Sequence, residues 1–186
     1  MIKAALSLLT TENSWDDLHL TKKAFQQAKI ISNQIVNNTA GKRSLQQSDS
    51  LSPVLFYGTQ NKEQINTAAV IGKINNQPVY SVDLSKLVSQ YIGETEKNLN
   101  TLFDTAANKN WILFFDEADA LFGKRTDVKD AHDKYANQDT SYLLQRIETH
   151  PGLILLATNK KSNIDPAFIR RIRSSIYFPK PKKKKR

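Results

Sequence analysis

An α/β sandwich of three layers around a five-stranded parallel sheet is the fold this sequence predicts, and three observations predict it. Short apolar runs alternate along the chain with segments of helical periodicity. Two of the runs, Trp111–Phe115 and Leu153–Thr158, are unbroken enough to be buried on both faces, as parallel strands are. The 186 residues, 39% hydrophobic and 24% charged, suit one globular domain with one good core.

Taken in order, Ala24, Ala28, Ile31 and Ile35 follow a possible cap at Thr21 and predict a helix over Leu20–Val36. Residues 37–53 are polar, with Gly41 and Pro53, and read as a linker. Val54–Tyr57 is a short strand, and Ile65, Ala68, Ala69 and Gly72 place Glu63–Lys73 on one helical face. Pro78–Val82 is the next strand. Glu94–Ala107 is a helix that turns Leu99, Leu102, Phe103 and Ala106 inward. After the Trp111 strand come a helix at Gln138–His150, the Leu153 strand, a short helix at Pro166–Ile172 and a strand at Ser175–Phe178. Alternation of this kind gives a parallel sheet whose ligands sit at the carboxyl ends of the strands.

Composition narrows the function. Without cysteine there is no disulfide framework, thiolate metal site or cysteine nucleophile, and the cytoplasm is the expected compartment. The opening Met1–Leu9 is only faintly signal-like, and no apolar run approaches a membrane span. Of the net charge of +9, six units belong to Lys180, Lys182, Lys183, Lys184, Lys185 and Arg186, so the basic signal is a tail at 180–186 and not a nucleic-acid patch. His132, between Asp130 and Asp133, reads as part of a solvated loop.

Five apolar residues running into Asp116-Glu117 place two acids at the mouth of the sheet. Such a pair suits a magnesium ion beside a triphosphate, the first acid holding the metal and the second polarising an attacking water. Asp116 could equally cap the following helix. The longer segment Phe114-Phe115-Asp116-Glu117-Ala118-Asp119-Ala120-Leu121-Phe122 resembles the Walker B segment of AAA+ ATPases.

Three further segments resemble that family in the same order. Tyr91, Ile92 and Gly93 match the aromatic, aliphatic, glycine triplet of a pore loop, which implies a grip on an extended protein client. Asn159, closing Ala157-Thr158-Asn159, matches a residue that contacts the attacking water or γ-phosphate. Arg170 and Arg173 match arginine fingers that act on a neighbouring subunit's phosphate. The resemblance covers about Leu51 to Pro179, so residues 51–179 form the large nucleotide-binding subdomain and 1–50 a preceding helix and linker. It implies a P-loop NTPase-type sheet with the Val54, Trp111 and Leu153 strands central and the Pro78 strand at one edge, ATP and magnesium as cofactors, and a ring of subunits. Gly123 to Asn137 also resembles the AAA+ proteins encoded beside bacterial contractile injection systems.

The pattern fails where the first strand should enter G-x-x-x-x-G-K-[ST], whose backbone N–H groups wrap the phosphates. Here Gly58 is followed by Thr59, Gln60, Asn61, Lys62, Glu63, Gln64 and Ile65. Glu63 replaces a glycine, Gln64 the lysine and Ile65 the hydroxyl that serves the metal. A carboxylate about 4 Å from a phosphate charge would cost about 4 kcal/mol at an effective dielectric near 20, so this loop is expected to bind ATP weakly. Lys62 is a possible substitute cation. The sequence ends just past the fifth strand, so the family's helical lid is expected to be absent, and the expected role is a ring or scaffold subunit, with an active remodelling ATPase as the alternative.

Overall fold

The computed structural model describes residues 2–39, 53–87, 93–123 and 131–180. Strand β1 (Leu6–Leu9) is followed by a 3-10 turn at Trp15–Asp17 and helix α1 (Lys22–Thr39). Then come β2 (Val54–Gly58), α2 (Asn61–Ile74), β3 (Val79–Val82), α3 (Glu94–Asn108), β4 (Ile112–Phe115) and α4 (Ala118–Leu121). The chain continues through α5 (Ala131–Thr149), β5 (Ile154–Thr158), α6 (Pro166–Ile169) and β6 (Ser174–Phe178).

The sheet order is β1-β3-β4-β5-β2-β6. Five strands are parallel, as expected, with β2, β4 and β5 central. The Pro78 strand, β3, is not at the edge: β1 pairs with it antiparallel, Leu6 opposite Val82 and Leu9 opposite Val79. The sixth strand escaped the sequence pattern because it is four residues long and its burial does not alternate, with Leu8 half exposed. β1 and α1 both precede residue 51 yet belong to the sheet and its core. Helix α5 starts at Ala131, seven residues before the predicted Gln138, so His132 is helical and not in a loop.

Alternate residues of each strand face opposite layers. Leu55, Leu113, Phe115, Ile154 and Leu156 pack beneath α3 and α5, against Leu99, Leu102, Phe103 and Ile147. Val54, Phe56, Ile112, Phe114 and Leu155 pack beneath α1 and α2, against Ala28, Ile31, Ala68 and Ile71. No helix among the described residues is long and apolar enough to cross a membrane.

A polar seam joins α3 to α5. The Tyr142 hydroxyl donates to Asn100 Oδ1, and one turn on Arg146 pairs with Asp104 at 2.5 Å. At its end His150, 3% exposed, meets Phe103 edge-on with ring centroids 5.5 Å apart. His150 Nε2 has no hydrogen-bond partner among the described residues.

Burial first, and the Arg146 guanidinium second, lower the His150 pKa from its ordinary 6.5 to about 4. The unfolded chain therefore takes up a proton as pH falls through 6.5 while the folded chain does not until about 4. Stability is full above 6.5 and falls towards pH 4, by on the order of 3 kcal/mol from this group. Urea denaturation across that window should show the slope, and His150→Asn should reduce it.

Candidate functional site

Gly58, Asp116 and Asn159 end three neighbouring strands or directly follow them, and the parallel sheet brings all three to its carboxyl edge. A cleft of about 240 Å³ opens there, lined by Asn61, Gln64, Asp116, Glu117, Asp119, Ala120, Asn159 and Lys160. It lies just beyond the ends of β4 and β5, every residue of which is buried.

Asp116 is half-buried, and both its oxygens are engaged: Oδ1 accepts the Glu117 N–H at 2.8 Å and Oδ2 accepts the Asn61 side-chain amide at 3.1 Å. The N-cap of α4 is Glu117, not Asp116. Glu117 has a left-handed backbone, φ 53, which costs a non-glycine residue about 1–2 kcal/mol and aims its exposed side chain into the cleft. Asn159 is exposed on the opposite wall.

Three residues here carried no sequence signal of their own. The buried Thr158 hydroxyl donates to Asp119 Oδ1 at 2.5 Å and accepts the Lys160 N–H at 2.9 Å, which fastens α4 to the end of β5. Lys160 lines the cleft; Lys62 is exposed outside it. Asp119 and Lys160 were readable only as neighbours of the acid pair and of Asn159.

The turn between β2 and α2 departs from the expected cradle. Helix α2 already begins at Asn61, leaving only Thr59 and Gln60 between strand and helix. Gln64, 1% exposed, turns its amide back to the Gly58 carbonyl at 3.0 Å. Ile65 packs against the α1–α2 side of the core. Glu63 is not among the residues that line the cleft: its carboxylate accepts the His19 N–H at 3.2 Å, because the first turn of α2 carries it towards the N-terminal segment.

Arg170 and Arg173 are exposed, lie outside the cleft lining and form no ion pair among the described residues, whereas Arg171 pairs with Glu148 at 2.9 Å. They follow α6, which is anchored by Phe168 on Phe122, ring centroids 4.1 Å apart, and by the Asp165 cap on the Ala167 N–H. Gly93 caps α3 with φ 81; Tyr91 and Ile92 lie outside the described residues, as do 124–130 and the tail at 181–186.

The family described as ATPase family associated with various cellular activities (AAA) matches residues 54–180, more than half of the chain. The chain belongs to the AAA ATPase family. It is 32% identical over 131 residues to the uncharacterized AAA family ATPase y4kL of Sinorhizobium fredii, covering 70% of this chain and 39% of that one. It is 30% identical over 189 residues to vacuolar protein sorting-associated protein 4B of Mus musculus, covering 97% and 41%. The crystal structure of the FIGL-1 AAA domain shares its fold, with a TM-score of 0.72 at 20% identity over 97% of this chain and 60% of that one. The chain spans about two-fifths of the length of these two sequence relatives. In this AAA fold the cleft occupies the expected ligand-binding edge of the sheet.

Gly58 is the tightest point of the site. Its φ is +128, and a Cβ there would lie 2.1 Å from the Phe178 carbonyl oxygen on β6. Gly58→Ala should therefore cost on the order of 2–4 kcal/mol in chemical denaturation. Gly93→Ala, at φ +81 with nothing within 4 Å, should cost only about 1–2 kcal/mol, from backbone strain alone.

Proposed function

We propose that this chain is a ring or scaffold subunit of the AAA family that binds ATP weakly and acts through protein partners. The observation that carries this reading is the turn of Gln64 onto the Gly58 carbonyl. The position that would supply a cation to the phosphates holds a neutral amide, buried and already bonded. Magnesium fits the residues present no better. Ile65 offers no hydroxyl, and both Asp116 oxygens already accept hydrogen bonds with which a metal would compete.

The partners in this reading are neighbouring subunits and a protein client, both in the cytoplasm. Arg170 and Arg173, exposed and without an ion pair among the described residues, are available to a neighbour's cleft; Tyr91, Ile92 and Gly93 would grip the client. Nucleic acid is not needed. The likeness of Gly123 to Asn137 to proteins encoded beside contractile injection systems makes such a machine a candidate setting.

The second reading, an ATPase that remodels its client, is favoured by the meeting of Asp116, Glu117, Asn159 and Lys160 around one cleft. In it Asp116 and Asn159 orient the reacting groups, Glu117 takes a proton from water, and Lys160 stands in for the missing lysine.

Titration with a fluorescent ATP analogue, with and without magnesium, separates the two. The first reading expects a Kd no tighter than about 1 mM. Asn61→Gly, Glu63→Gly, Gln64→Lys and Ile65→Thr made together should tighten it by about tenfold or more, because two glycines let the first turn of α2 open and lysine adds the charge. Micromolar binding by the unaltered protein, or turnover that Glu117→Gln abolishes, would establish the second reading.

A further inference from the structure

Asp116 receives one hydrogen bond from its own neighbour and one from an element far away in sequence. Its Oδ1 takes the N–H of Glu117, at the head of α4, at 2.8 Å. Its Oδ2 takes the side-chain amide of Asn61, the first residue of α2, at 3.1 Å. One turn further along α2, Gln64 ties the same helix to the end of β2 through the Gly58 carbonyl at 3.0 Å. One neutral amide thus reaches from α2 to Asp116, and a second fastens α2 to β2.

An amide N–H presents a partial positive charge to a carboxylate, and a hydrogen bond to an ionised acceptor is stronger than one between neutral groups. A divalent cation on Asp116 would compete with that amide for the carboxylate, and Ile65 offers no hydroxyl to help hold it. The β2–α2 turn and the β4–α4 turn are therefore joined by the chain itself.

We propose that Asn61 is a built-in substitute for a cation on Asp116, holding the cleft in one geometry with neither metal nor nucleotide bound. This rests on the reading above, that the cleft works without a tightly held nucleotide, and deepens it: the cleft is a fixed joint between α2 and α4, and the subunit presents the same surface to its neighbours whatever the nucleotide level.

The test is thermal unfolding in EDTA and in millimolar magnesium chloride, with no nucleotide. The wild-type Tm should differ by less than about 1 °C between the two. Asn61→Asp sets a second carboxylate against Asp116; its Tm should fall by about 3 °C or more in EDTA and recover in magnesium. Wild-type stabilisation by magnesium of about 3 °C or more would overturn the proposal, and so would an Asn61→Asp protein that matches wild type in both buffers. Should that variant fail to fold, the side-chain amide resonance of Asn61 in 15N-labelled wild-type protein decides the matter. It should move on Asp116→Asn and stay put on adding magnesium; an amide that ignores Asp116→Asn refutes the joint. Micromolar ATP binding would instead overturn the reading of the whole cleft, whereas magnesium stabilisation without nucleotide overturns only the joint.

Discussion

A strand covered by helices on both faces cannot carry a polar side chain until it emerges from beneath them, and this constraint organises the molecule. Every residue of β4 and β5 is buried, so their first polar chemistry appears at or just beyond their ends. Because the strands are parallel, those ends fall on one edge of the sheet. Asp116 and Asn159, 43 positions apart, become neighbours of one cleft for that reason alone. Helices α2 and α4 start at the same edge and bring Asn61 and Glu117 with them.

The same constraint explains what stands in place of a lysine. Position 64 is nearly sealed from solvent, and an ammonium there would lose its hydration unless an anion repaid it. A glutamine amide needs only a carbonyl, and Gly58 offers one. The side chain that replaces the cation thus meets its burial with a backbone carbonyl as partner in place of an ion.

The sequence made the parallel sheet and the acid pair legible because both depend on local signals: apolar runs buried on two faces, and charge placed abruptly after one of them. The AAA relationship was legible because several such signals recur in a fixed order. What was not legible depended on direction or on an unpatterned partner. Leu6–Leu9 has no alternation to announce an edge strand, and it becomes one only because β3 offers a free side. Glu63 looked like a charge in the cleft, but helical phase turns it to the His19 backbone. Thr158 and Asp119 became site residues through a bond that no spacing foretold. Helix α5 extends back to Ala131 through residues whose polar composition resembles a loop.

The seam between α3 and α5 has a mechanical consequence. Its two bonds are unlike, one between uncharged groups and one between charges, and they repeat at the four-residue spacing of each helix. Sliding one helix along the other by a turn, about 5.4 Å, would bring Tyr142 to Asp104 and Arg146 to Asn108, and the charged pair would be broken. The two rods thus have a single resting position, like a key with two differently cut teeth.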